Sequence, residues 1–236
     1  MEIFSKQPNF ESFKLFGTAH IVTVIMMSLL LVIIYKIFKD KTYYKYVLMI
    51  SLLVLDIGFR LWAGFYETPN YVSMFSVHIS SATVILSVWC LVKFNQRVFD
   101  VLFYWGLLFV PQAIITPGIV KYGFPHMRFF HIFLIHFLVI NTIVYLLLVE
   151  KRRLSRHHFI YVLITTHLYA GFVWLVNNHF GTNYMFINRA SNFPSLLNYL
   201  GPYPYYLISL DIIMIVLFLI LNRIYVRFER GTYESL

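Results

Sequence analysis

The chain has 236 residues, 60% of them hydrophobic and 12% charged, with a formal net charge of +9 and a mean hydropathy of +0.72. That balance excludes a soluble globular domain, so the question of domain count becomes one of membrane crossings. The basic residues sit at the ends of apolar runs rather than on one basic face, which argues against a nucleic-acid partner, and the single cysteine, Cys90, excludes a disulfide framework or a cysteine metal site.

A helix crosses the hydrocarbon in about 20 residues. The residues before the first apolar run contain Glu2, Pro8 and Glu11 and no small-residue cleavage motif, so no removable signal peptide is expected. Spans are predicted at His20–Phe38, Tyr44–Phe65, Tyr71–Leu91, Val98–Ile115, His126–Val149, Phe159–Asn177 and Tyr203–Ile224. Turn-forming or charged connectors separate them: Lys39-Asp40-Lys41, Thr68-Pro69-Asn70, Asn95-Gln96-Arg97, Thr116-Pro117-Gly118 and Lys151-Arg152-Arg153. The longest, Asn178 to Pro202, is mostly polar or small and contains Pro194 and Gly201. The expected fold is an all-α polytopic membrane protein, a single seven-helix transmembrane domain over residues 1–236 with no internal repeat.

Thirteen Lys and Arg residues fall on one side of this arrangement and five on the other, with Arg60 inside a span. The positive-inside rule then predicts the N-terminus outside and the C-terminus inside. With that orientation, His78 and Ser80 lie in the outer half of the third span, and His131 and His136 between the outer surface and the midplane of the fifth. Asp56 and Arg60 fall in the outer half of the second. His167 near the midplane and Asn141 deeper are exceptions to a concentration of costly polar groups in the outer half. Such groups are expensive in lipid and need partners or a wet cavity. The pattern predicts a cavity open toward the outer leaflet.

Simpler readings compete at each position. Ser73, Ser76, Ser80, Thr83 and Ser87 recur at alternating steps of three and four, a stripe of small residues suited to close helix packing. Asp56 and Arg60, one helical turn apart, can neutralise each other or belong to a site. His167 reads as a hydrogen-bonded helix contact, and His157-His158 as headgroup contacts beside a basic run.

Three chemistries fit the histidines. A metal site is one, although the last span has no histidine and the steps of five in His126, His131 and His136 do not share a helical face. Acyl transfer is the second: Ser80 activated by His136 as base, with His78 orienting the base or donating to an oxyanion, provided the third and fifth spans are neighbours. A non-enzymatic small-molecule carrier or binding protein using the same cavity is the third; Pro111 and Thr116-Pro117, able to break the fourth span, would suit it.

The stretches YWGLLFVPQAIITPGI, FPHMRFFHIFLIHFLVI, TNYMFI and LLNYLGPYPYY resemble the YwaF-like family of bacterial integral membrane proteins, the broad family that also holds transmembrane protein 164. More distantly the chain is similar to androgen-induced hydrolases of fatty-acid esters. The resemblance implies a phospholipid acyltransferase or acyl-ester hydrolase in a cell membrane, the bacterial cytoplasmic membrane, with lipid as its partner and no cofactor. The family's His-Leu-Cys matches His78-Ile79-Ser80 here, so a serine stands at its nucleophile position, and its catalytic histidine matches His136. Asn183 and Tyr184 match its Asn-Tyr pair, and Gln112 and Thr116 its Gln-Ala and Thr-Pro elements. Arg189 beside Asn183 is expected near the lipid headgroup. Cys90, about ten residues or 15 Å of helical rise below Ser80, cannot replace the missing thiol.

Overall fold

A computed structural model describes residues 2–7, 9–39, 41–67, 75–155, 158–191 and 196–234, without the side chains of 66, 67, 196, 198 and 228–234. Ser73, the Pro69 turn, Pro194 and the Arg156-His157 pair lie outside the described residues. No strand occurs among them. Seven helices follow in order: α1 Thr18–Phe38, α2 Tyr44–Trp62, α3 Ile79–Val92, α4 Gln96–Ile115, α5 Met127–Val144, α6 Phe159–Phe180 and α7 Tyr205–Glu234. Single π turns extend α2 over Ala63–Glu67 and α5 over Tyr145–Val149. Six of the seven are long and apolar enough to cross a membrane. α1 shows why: its 21 residues carry Lys36 as their only charge and bury only His20, so its surface is apolar nearly all round.

The third span departs from expectation. Predicted from Tyr71, the helix begins only at Ile79 and has 14 residues, about 21 Å of rise against roughly 30 Å of hydrocarbon. Residues 75–78 are not helical. Hydropathy reports composition over a window and does not locate the residue at which a helix starts. The expected stripe shortens accordingly. Ser76 lies before the helix, its hydroxyl 3.1 Å from that of Ser81, while Thr83 and Ser87 donate to the carbonyls of Ser80 and Thr83. Both are fully buried, which is what a packing stripe requires.

The chain divides into two compact units, Met1–Leu154 and Ser155–Leu236. In the first, α5 is the hub, with α1, α2, α3 and α4 all packed against it. It buries residues on nearly every side, including Phe129, Phe133, Phe137 and Ile143. α4 comes close through Gly106, where an added Cβ would stand 2.3 Å from Ile143 Cδ1. Gly106→Ala is therefore expected to cost about 1–3 kcal/mol, the usual range for overpacking. Ile143→Val, which deletes that methyl, should recover most of the loss in the double variant, as read from thermal unfolding in detergent. Independent, additive effects would show that the helices part elsewhere.

Local signals set the ends of the elements. Asn95 caps α4, its side-chain oxygen accepting from the amides of Arg97 and Val98 at 3.0 and 3.2 Å. Pro111 does not break α4, which runs continuously past it to Ile115. His20 Nδ1 accepts from the Phe16 amide, so the ring proton is on Nε2, which donates to the Ile114 carbonyl at 2.9 Å. That carbonyl is one of those a helix C-terminus leaves unpaired.

The second unit holds α6 and α7. α6 ends at Gly181, whose φ of 67° is the left-handed conformation that glycine adopts without strain. His167 donates from Nδ1 to the Leu163 carbonyl at 2.8 Å and pairs through Nε2 with Asp211 Oδ1 at 3.0 Å, the helix contact its sequence position suggested.

Candidate functional site

The residues expected to be catalytic lie on two elements of the first unit, the start of α3 and α5, which pack against each other. His78 is the N-cap residue of α3, with extended backbone at φ −60° and ψ 147° and no capping bond from its side chain. Ser80 follows in the first turn, half-buried, and its hydroxyl makes no hydrogen bond among the described residues. α3 packs directly on α5, so the third and fifth apolar segments are neighbours.

The three histidines of α5, five residues apart, do three different jobs. His126, fully buried, caps the helix: Nδ1 accepts from the Arg128 amide, so Nε2 carries the proton it donates to the Ser5 carbonyl at 3.0 Å. Trp62 holds the neighbouring Phe4 carbonyl, so two side chains fix the N-terminal turn. His131 stacks on Phe59 with ring centroids 4.2 Å apart, and Arg128 reaches its Nδ1 at 3.4 Å. Its Nε2 is buried with no partner among the described residues. His136 is only 7% exposed. Its Nδ1 lies 2.5 Å from the Ile132 carbonyl, and a carbonyl can only accept. The ring proton is therefore on Nδ1, leaving Nε2 as the basic nitrogen; it has no hydrogen bond among the described residues.

Arg128 is the permanent charge that acts on His78, His131 and His136 alike. Arg60 acts on His131 as well. Arg60 also pairs with Asp56 at 2.6 Å, both side chains about one-fifth exposed. The i, i+4 pair neutralises itself, as its spacing allowed.

The other predicted binding residues belong to α4 and to the second unit. Gln112 is exposed on α4, and its carbonyl accepts from the Thr116 hydroxyl at 3.1 Å at the helix end. Asn183, Tyr184 and Arg189 lie in the second unit. There Asn183 spends its side chain on the loop, accepting from the amides of Asn188 and Arg189 and donating to the Arg189 carbonyl. Asn177, buried at the end of α6, anchors that loop: its amide donates to the Tyr184 carbonyl and Asn188, and its oxygen accepts from Thr182 and the Tyr184 amide. The Arg189 side chain is exposed.

Sequence reasoning missed two residues. Arg128 was counted only for topology, although its place three residues before His131 puts the two on one helical face. Asp100, 1% exposed in α4, accepts from Gln96 Nε2 at 2.8 Å. With the Tyr44 hydroxyl donating to Asn141 at 2.8 Å, it places costly polar groups at the opposite end of the first unit too, so they are less one-sided than expected. Cys90 is buried at that end. Among the described residues, no three His, Cys, Asp or Glu side chains gather as metal ligands would.

No curated protein and no solved structure matches the chain. The TMEM164 family model matches residues 15–222, which takes in all of α1 to α6, the His78-Ile79-Ser80 segment, His136 and most of α7. This multi-pass, all-helical membrane protein belongs to the TMEM164 family.

Proposed function

We propose that the protein is an intramembrane acyltransferase or acyl-ester hydrolase acting on phospholipid or another acylated lipid of the outer leaflet, with its N-terminus outside. Ser80 Oγ attacks the acyl carbonyl, His136 Nε2 takes the hydroxyl proton and returns it to the leaving alkoxide, and His78 assists. The observation that carries this reading is the fixed tautomer of His136, with Nδ1–H spent on the Ile132 carbonyl and Nε2 kept as a lone-pair base. In serine hydrolases a carboxylate orients the base in the same way; here a backbone carbonyl takes that part. The packing of α3 on α5 supports the same pairing, as does the family resemblance of His78-Ile79-Ser80.

The test uses the full chain in lipid nanodiscs with radiolabelled phospholipid. Labelled fatty acid should be released or transferred, and neither chelator nor added zinc should change the rate. Loss to chelators with restoration by zinc would replace the serine mechanism with a metal one. No turnover, with one solute raising the melting temperature, would establish the carrier reading instead.

A further inference from the structure

Asn141 holds a buried donor with nothing to bond. It lies near the C-terminal end of α5 and is 3% exposed. Its Oδ1 accepts from the Tyr44 hydroxyl at 2.8 Å, which leaves Nδ2 buried and without an acceptor. An unmade bond of this kind is costly, the more so at membrane depth. Five residues separate Asn141 from His136, about 7.5 Å along the helix and about 140° round it, so the two side chains leave α5 on different faces.

A cavity stands beside that amide. Tyr35 of α1, Lys39 just after it, Tyr44 of α2, Asn141, and the two ends of the π turn, Tyr145 and Val149, line it. Rings fix its walls: Tyr44 stacks on Phe38 at 4.7 Å and meets Tyr145 edge-on at 5.8 Å. Single π turns in α-helices recur at functional sites. The volume of about 10 Å³ admits one water-sized group. Lys39 is exposed, and its ammonium forms no ion pair among the described residues.

Those features select a ligand. Asn141 Nδ2 and Lys39 Nζ only donate, so the ligand supplies acceptor oxygens. One oxygen fits inside, among rings and a valine, where a charged atom is expensive and a neutral acceptor is not. The anion therefore stays outside with Lys39. A glycerophospholipid has that arrangement: a neutral ester carbonyl lies one glycerol unit from a phosphate, on its hydrocarbon side. Four lysines against one aspartate between residues 36 and 45 draw anionic headgroups to this end of the helices.

We infer that this cavity is a phospholipid site separate from the proposed catalytic residues, with an ester carbonyl oxygen on Asn141 Nδ2 and the phosphate on Lys39. It serves the leaflet at the Lys39 end, the inner one in the proposed orientation, and does not depend on the acyl-transfer reading. No bond is made or broken there. The lipid completes the Asn141 amide and ties α1, α2 and α5 together.

The test compares phosphatidylglycerol with its diether analogue, which keeps the phosphate and lacks both carbonyls. Each is titrated into the full chain in detergent, and bound lipid is counted by native mass spectrometry. Reading differences between wild type and variants cancels lipid held elsewhere on the surface. Wild type should bind the diester about three- to tenfold tighter, the worth of one hydrogen bond. Asn141→Leu combined with Tyr44→Phe removes both partners of the 2.8 Å bond, strands no hydroxyl, and should bind the two lipids alike. Lys39→Gln should weaken both lipids equally, by about three- to tenfold at low salt and little in about 0.5 M salt, while keeping the diester preference. Equal binding of diester and diether by wild type means that Asn141 holds water only and overturns the site, as does a diester preference that survives in the double variant. Unchanged binding in Lys39→Gln overturns the phosphate contact. Protection from thermal unfolding by inorganic phosphate, at the concentrations where lipid acts, would make a free anion the ligand and overturn the lipid.

Discussion

Ser80→Ala is expected to lower acyl release from phospholipid by about 10³-fold or more, because it removes the atom that forms the covalent intermediate. The fold should hardly notice. The Ser80 hydroxyl makes no hydrogen bond among the described residues, and alanine suits a helical turn. Ser80→Cys is the informative companion. A thiol is a stronger nucleophile at neutral pH and becomes more acidic at a helix N-terminus, so this variant should stay active and become sensitive to N-ethylmaleimide. Wild type should resist that reagent, since its only cysteine, Cys90, is 2% exposed. Full activity in Ser80→Ala, or rapid inactivation of wild type by the maleimide, would remove Ser80 from the mechanism.

The second large effect separates two histidines of one helix. His136→Gln keeps a polar side chain of similar reach but no base, and should lower kcat by about 10²–10⁴-fold, the usual share of general base catalysis, with little change in melting temperature. His126→Ala should do the reverse. It removes the α5 cap and the bond to Ser5, a loss of about 1–2 kcal/mol of stability, while turnover per folded molecule stays within about threefold. Equal kinetic losses in both variants would mean that His136 acts through packing, as His126 does.

Much of the fold was legible in the sequence, because the bilayer imposes a length and a polarity on each crossing. Six spans fall where apolar runs of sufficient length occur, and Asn95 and the Pro117-Gly118 turn mark the ends of α4. The third failed for an identifiable reason. The run Tyr71–Leu91 is apolar enough as a whole to count as membrane-embedded, but nothing in its composition says where along it the backbone becomes helical. The Asp56–Arg60 pair could be read from spacing, since both partners belong to one helix. The His167–Asp211 pair could not, since its partners lie 44 positions apart in sequence.

The sequence by itself determined a multi-pass helical membrane protein, its family and the chemical inventory of three α5 histidines with a serine beside His78, because composition and hydrophobic period act locally. Only the tertiary structure decided what the inventory does. Packing put α3 against α5, and the rotamer that turns His136 Nδ1 to the Ile132 carbonyl of its own helix fixed which nitrogen is basic. Those outcomes depend on contacts between helices and on where hydrogen bonds are spent, and no periodicity along the chain encodes either.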